Sequence, residues 1–377
     1  MRIIDRYLLR QFIQTFLICF ISLTGVYVIF DAFTNLEAFL HCAKGGQLLR
    51  LMGGYYACQS IFFFDRTSSL LVLMSAMFTV AWLQRHHEMT ALMAAGISRV
   101  RIVAPILVAA GLITLAAAAN REAAIPRFKY ELAQRPSDLA GNVADELCPQ
   151  YDNQTDVLIR GQAAYADTRR IGKPDFLLPP ALSEHGKRLL ADNATYMAPA
   201  GKRPGGYLLD GVHEPKNLAR KPSLSLDGRA VLITPHDADW LTATQCFVAS
   251  DVTFDQLNGG RAFRTFGSTA ELIRALRNRA MDYGADLRVT IHGRIVQPLL
   301  DLTLLFLGLP LVVSRESRNV FVAMGLGIGV VAGFLVLVIG CQQLGTSGLL
   351  PAALAAWAPL MIVVPAAVGT AETMWQR

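Results

Sequence analysis

Long apolar runs separated by short basic loops fill both ends of the chain, and a polar stretch of ordinary composition lies between them. A helix needs about 20 apolar residues to cross a hydrocarbon core, and its backbone must be satisfied within the segment. Six runs meet that length: Phe12–Phe33 with Asp31 at its far end, Ser60–Leu83 with Asp65 and Arg66 near its start, Ile102–Ala119, Ile295–Val313, Val320–Cys341 and Leu349–Thr370. The pattern predicts a membrane α-helical fold with six transmembrane helices, three before and three after one inserted domain. The first run exceeds the roughly 7–15 apolar residues of a signal peptide and no small-x-small site follows it promptly, so it is read as a retained helix.

The insert predicts a β-rich domain. Asp156–Arg160, Lys187–Ala191, Gly206–Asp210, Arg229–Thr234 and Gln245–Thr253 are short runs bounded by Gly, Pro, Asn and Asp. Many short strands at this spacing suggest a sandwich, a jelly roll or an open barrel. Ser268-Thr-Ala-Glu271 is a capping box that opens a helix through about Asp282, with Gly284 ending it. The expected organisation is a first membrane half over 1–121, a β domain over 122–266, a connecting helix over 267–290 and a second membrane half over 291–377.

Composition supports the membrane reading and charge orients it. Of 377 residues, 53% are hydrophobic and 17% charged, against about a quarter charged in soluble domains. Arg2, Arg6 and Arg10 open the chain; Arg85, Arg99 and Arg101, with His86 and His87, lie between helices two and three. Arg315 and Arg318 lie between helices four and five, and Arg377 ends the chain. The opposite loops hold Lys44 and Arg50, or, over Gln342–Gly348, no basic residue. Both termini and the basic loops are therefore expected in the cytoplasm and the large domain outside. The net charge of +6 then reflects topology and phospholipid contact. No basic stripe interleaved with aromatics points to nucleic acid.

The search for chemistry is mostly negative. The Gly-Lys pairs at Gly172, Gly186 and Gly201 lack the P-loop context. His86-His87-Glu88 lacks the second histidine of a zinc-protease helix. His236-Asp237-Ala238-Asp239 offers metal-ligand chemistry, but in a turn after Pro235 it reads as a solvated loop. No Gly-x-Ser-x-Gly elbow occurs. The chain is expected to be no enzyme and to bind no cofactor or metal itself. Cys19 and Cys341 fall in membrane helices as small hydrophobes. Cys148 and Cys246 both fall in the outward domain, where either a disulfide or two free thiols is open.

The loop Gln84–Arg101 carries the most information. Glu88 to Ala95 holds strong helix formers with an acid in the first turn, Gly96 stops the helix, and Ser98 can cap the next one. The result is a short amphipathic helix between tight turns. Spacing alone leaves two readings open, a rigid lever for a cytoplasmic partner and a connecting turn.

Glu88-Met-Thr-Ala-Leu-Met-Ala-Ala-Gly-Ile-Ser resembles the coupling-helix signature of the lipopolysaccharide-export permeases of the LptF/LptG type. Asp5-Arg6-Tyr7-Leu-Leu-Arg-Gln-Phe12 resembles that family's start, and Asp31 to Phe39 the end of its first helix. His292-Gly-Arg294-Ile-Val-Gln-Pro298 with Leu307-Gly-Leu-Pro-Leu311 is similar to its fourth helix, and Gly348-Leu-Leu-Pro351 with Ala356-Trp-Ala-Pro359 to its sixth. Leu190–Tyr196 and Gly206–Val212 match the strand pattern of its inserted domain. The likeness covers nearly the whole chain in order.

The resemblance implies a bacterial inner-membrane permease that pairs with a second chain of its family on a cytoplasmic ABC ATPase dimer, where ATP-Mg is bound. It implies extraction of a lipid and its passage through a jelly-roll-like periplasmic domain to jelly-roll bridge proteins. The coupling helix would span 86–97, with Glu88, Leu92, Ala95, Gly96, Ser98 and Arg99 at the ATPase. Lipid-path candidates are Phe30, Asp31, Asn35, Lys44, Asp301, Gly325 and Gly329. The glycines of the fifth helix, Gly325, Gly327, Gly329 and Gly333, suit either close sliding or ordinary packing. Lipopolysaccharide-handling relatives tend to place cations near the outward end of helix one, where this chain has Asn35 and Glu37. Asp301 is an acid at membrane depth, with Gln297 one turn earlier to satisfy it. Two other classes stay in view, an ion-coupled secondary transporter using Asp301 and a receptor or scaffold with an outward ligand-binding domain.

Overall fold

The computed structural model describes residues 3–42, 47–134, 136, 147, 149–165, 168–201, 203–226, 228–258, 260–281, 283–313 and 320–375. The chain opens with α1 (Ile3–Thr34), α2 (Leu36–Cys42), α3 (Leu48–Arg85), α4 (Glu88–Ala94) and α5 (Arg99–Ala119). A π-helical turn (Asn120–Ala124) continues α5 into α6 (Ile125–Arg127), and α7 (Lys129–Ala133) follows. The strands are β1 (Gln150–Asp152), β2 (Val157–Arg160), β3 (Ala163–Tyr165), β4 (Arg170–Gly172), β5 (Asp175–Leu177), β6 (Arg188–Leu190), β7 (Asn193–Met197), β8 (Gly206–Asp210), β9 (Leu224–Leu226), β10 (Arg229–Ile233) and β11 (Cys246–Ala249). The chain closes with α8 (Phe254–Asn258), α9 (Gly260–Phe266), α10 (Thr269–Arg277), α11 (Ala285–Val313), α12 (Val320–Thr346) and α13 (Ala352–Trp375).

Six helical spans among the described residues are long and apolar enough to cross a membrane: Ile3–Thr34, Leu48–Arg85, Arg99–Arg127, Ala285–Pro310, Gly325–Thr346 and Ala352–Thr370. They form one compact unit, from residues 1–36, 49–128 and 284–377. Most of them exceed the apolar runs that announce them. Helix α1, for example, begins nine residues before Phe12, because Asp5, Arg6 and Arg10 are no obstacle to a helix once it leaves hydrocarbon. The core joins Leu8 and Phe12 of α1, Leu73, Met77 and Val80 of α3, Ile102 and Ile106 of α5, Leu304 and Leu309 of α11, and Val331 and Phe334 of α12. Small residues set the closest approaches. A β-carbon at Gly308 would lie 2.6 Å from Leu73 Cδ1, and one at Gly327 2.7 Å from Met77 Sδ. Gly325, Gly329 and Gly333 instead face open space and form an uncovered strip along α12.

The second unit comprises residues 37–48 and 129–283. Two antiparallel sheets, ordered β1-β2-β5-β6 and β3-β4-β7-β8-β11-β10-β9, share one apolar core. Val157, Ile159, Phe176 and Leu189 enter it from the smaller sheet, and Ile171, Ala194, Tyr207, Leu209 and Val248 from the larger. A second cluster, with Ala238, Leu241, Phe247 and Ala249, covers the other face of the larger sheet. Strand β11 is therefore buried on both faces and reads as a continuous apolar run rather than an alternating one. The expected β-rich insert is thus a two-sheet sandwich.

One expectation changes. The capping box forms, with Ser268 accepting from Glu271 N and Glu271 reaching back to Ser268 N. Helix α10 nevertheless ends at Arg277, where Asn278 takes an extended conformation and its side chain donates to Asp251 O at 2.9 Å. The expected connecting helix over 267–290 is thus a short helix, a break and the first turns of α11. Of the two cysteines for which a disulfide and free thiols were both open, Cys246 is a free thiol fully buried in β11, and Cys148 lies outside the described residues. Burial pushes that thiol up to about 12.

Candidate functional site

Helix α4 is short, yet both ends are fixed. Gly96 adopts φ +80°, and its N–H donates to Met93 O while the Ile97 N–H donates to Leu92 O at 3.1 Å. This pairing satisfies the last carbonyls and suits a residue without a β-carbon. One residue on, Ser98 Oγ accepts from Arg101 N at 3.4 Å and opens α5. His87 precedes α4 in a left-handed conformation, φ 60°, so the chain reverses within two residues of α3. Met89 is buried in the membrane unit's core, and Leu92, Met93 and Ile97 pack on it. Ala95 is the capping residue just past the helix, and the Arg99 Nε–H donates to Met93 Sδ at 3.3 Å.

Helix α1 grips this loop. The Tyr7 hydroxyl donates to both Glu88 carboxylate oxygens, at 3.2 and 3.1 Å. Arg101 donates through Nη2 to both oxygens of Asp5, at 3.2 and 3.0 Å. Gln84 Nε2 donates to Val312 O at 3.1 Å, which occupies one of the last carbonyls of α11. These contacts join residues 81 or more positions apart, and spacing carried no sign of them.

A second polar assembly lies at the other end of the same helices. Asp65 accepts from Arg121 Nε through both oxygens, at 3.0 and 3.1 Å, with side chains 9% and 19% exposed. Asn120 Nδ2 donates to Ile61 O at 3.0 Å. Neighbouring residues on a regular helix diverge by about 100°, so Asn120 and Arg121 both face α3 because the π turn widens the helix between them. Counting about 1.5 Å per residue, Asp65 lies about 30 Å along α3 from Arg85. Asp301 sits deeper, where Gln297 Nε2 donates to Oδ1 at 2.8 Å and Ser69 adds a side-chain hydrogen bond. Arg294 is in electrostatic reach of Arg121, Glu122 and Asp65. Pro298, between Gln297 and Asp301, removes the hydrogen bond that would hold the Arg294 carbonyl. Asp65 and Asp301 stand out as acids in apolar runs, whereas Arg121 reads as the start of the polar insert.

The remaining candidates are scattered. Asp31 accepts from the Tyr56 hydroxyl at 2.9 Å, and Tyr27 stacks on Phe63 at 5.1 Å, so helices α1 and α3 are pinned there by aromatic side chains. Asn35 caps the last turn of α1 by donating to Asp31 O, and Phe30 is 71% exposed. Lys44 lies outside the described residues. His236 Nδ1 lies 2.7 Å from Asp237 Oδ1, and Asp237 also accepts from Ser223 N at 2.6 Å. Those bonds hold its carboxyl down at about 2.

Residues 6–171 and 233–372 match the family model for the lipopolysaccharide export system permease LptF/LptG. No curated protein matches the chain. The match takes in α4, the Asp65–Arg121 pair, all six apolar spans and both outer parts of the β sandwich. The chain belongs to the LptF/LptG family of lipopolysaccharide export permeases.

Proposed function

We propose that this chain is the permease subunit of an ATP-driven exporter that extracts lipopolysaccharide or a similar lipid from the inner membrane. The observation that carries the reading is helix α4, a short helix fixed at both ends and bearing an acid in its first turn. Such a lever suits a groove on a nucleotide-hydrolysing partner, since the chain has no phosphate-binding loop of its own. ATP-Mg is assigned to a cytoplasmic ATPase dimer, and a second permease of the family completes the membrane part. The basic loops favour a cytoplasmic side for both termini and a periplasmic side for the β sandwich, which by this reading hands the lipid to jelly-roll bridge proteins.

Energy input fits the task. Removing acyl chains from a bilayer costs about 0.8 kcal/mol per methylene, or about 10 kcal/mol for a chain of about twelve carbons. Closure of the ATPase would move Glu88, Leu92, Ala95 and Gly96 together with the cap Ser98 and with Arg99. Phe30, Asp31, Asn35, Lys44, Asp301 and the open strip at Gly325 and Gly329 are assigned to the lipid path.

Affinity purification in mild detergent tests the reading. The native chain is expected to recover a nucleotide-binding subunit, and Glu88→Ala to recover markedly less. Recovery of no ATPase by a folded native chain overturns the exporter.

A further inference from the structure

The start of α1 meets the first turn of α4 through the Tyr7–Glu88 hydrogen bonds. Glu88 lies in a loop with several basic residues, three of which have other partners. Arg101 donates to both oxygens of Asp5, Arg99 donates to Met93 Sδ, and the His86 ring lies on Trp82 with centroids 4.4 Å apart. Among the described residues, the side-chain partner of Glu88 is the neutral hydroxyl of Tyr7. One O–H cannot neutralise a carboxylate, which has about four lone-pair sites. It can hold the carboxylate in one orientation while leaving the charge for an incoming donor. Directly after Tyr7, Leu8 and Phe12 are fully buried in the cluster that also contains Met89 and Ile102. The Tyr7 backbone is thus set by packing, and the hydroxyl is delivered from a rigid base.

We propose that Tyr7 is a positioning residue for Glu88: its hydroxyl orients the carboxyl group of α4 towards a cationic side chain of the partner ATPase, and ties α4 to α1. The inference rests on the exporter reading above and adds a residue from another helix to it. Pre-orientation raises affinity by removing the cost of ordering a side chain on binding. One such hydrogen bond to a partly exposed group corresponds to roughly a three- to tenfold change in an equilibrium constant.

The test compares the native permease, Tyr7→Phe, Glu88→Ala and the double variant, each assembled with its paired permease in detergent. Two quantities are read: the dissociation constant of the purified ATPase, and lipid released per ATP hydrolysed. Tyr7→Phe keeps the ring and deletes one oxygen, so the permease pair should assemble and melt as the native does. The expected result is a dissociation constant raised roughly three- to tenfold and a lower release per ATP. In the Glu88→Ala background the same change should have no further effect. Native affinity for Tyr7→Phe overturns the proposal, and so does an equal loss in both backgrounds, which would mean that Tyr7 acts without Glu88. Failure of the native permease to bind the ATPase would instead overturn the exporter reading itself.

Discussion

Removing one member of the Asp65–Arg121 pair leaves the other buried and uncompensated. Breaking a buried ion pair from one side costs about 3–5 kcal/mol, most of it from the stranded charge. Here the cost should be lower. Arg121 is 19% exposed and stands far along its helix from the basic loop, so its guanidinium can turn towards the membrane interface. Asp65, at 9% exposure, has no such freedom in an apolar run. Arg121→Gln strands the acid and should therefore cost more, about 3 kcal/mol, than Asp65→Asn, at about 2 kcal/mol. The double variant removes both charges and leaves two neutral amides able to bond each other. Its loss should fall below either single one, a coupling of about 3 kcal/mol or more. The assay is the temperature at which the detergent-solubilised chain loses its monodisperse elution peak, calibrated by unfolding in denaturant. Additive losses, or a double variant worse than both singles, would refute the reasoning. Each result would mean that the pair does not hold α5 to α3.

Two further perturbations use the same or simpler measurements. Gly308→Val drives a branched side chain into Leu73, already 2.6 Å from a bare β-carbon, and should destabilise the membrane unit by about 1–3 kcal/mol; Gly329→Val meets open space and should leave the isolated chain within about 0.5 kcal/mol of native. Acid unfolding of the β sandwich tests two carboxyls. Asp175 is held below its ordinary value by Arg188, opposed by burial and aided by Arg160, and Asp237 is held at about 2 by His236 and Ser223. Both folded values are depressed, so their stabilisation is fully present above the ordinary value of 3.8 and is lost as pH falls through the folded values, which for Asp237 is about 2. Asp175→Asn with Asp237→Asn should therefore flatten the loss of stability below pH 4, followed by the near-ultraviolet signal of the tyrosines and Trp240.

The apolar spans were legible because a membrane helix must satisfy its backbone locally and needs a long uncharged run, a signal with few competitors. The stop of α4 and the start of α5 were legible for a similar reason: Gly96 and Ser98 act within a few residues of themselves. The sandwich was read only in part. Gly206–Asp210 pairs along its whole length with β7 and as far as Leu209 with β11, whereas β3, β4 and β5 have three residues each, too few to show an alternating pattern. Contacts distant in sequence left no trace. Arg121 meets Asp65 across 56 positions and Tyr7 meets Glu88 across 81, and no periodicity spans such gaps. The π turn that aims Arg121 was equally silent, because Asn120–Ala124 has the composition of any helix end.

Residues 37–48, which fold with the β sandwich, have a consequence for anyone wishing to cut the molecule apart. The polypeptide passes between the two compact units four times, near residues 36, 48, 128 and 283. The sandwich is therefore no cassette that a deletion of 129–283 removes cleanly. Such a deletion leaves residues 37–48, among them the fully buried Phe39, without the rest of the unit they belong to. A single proteolytic nick within 129–283 would likewise release nothing, since the crossings near 128 and 283 would each keep one fragment joined to the membrane unit. Swapping the sandwich between related permeases would have to carry the short segment along with it.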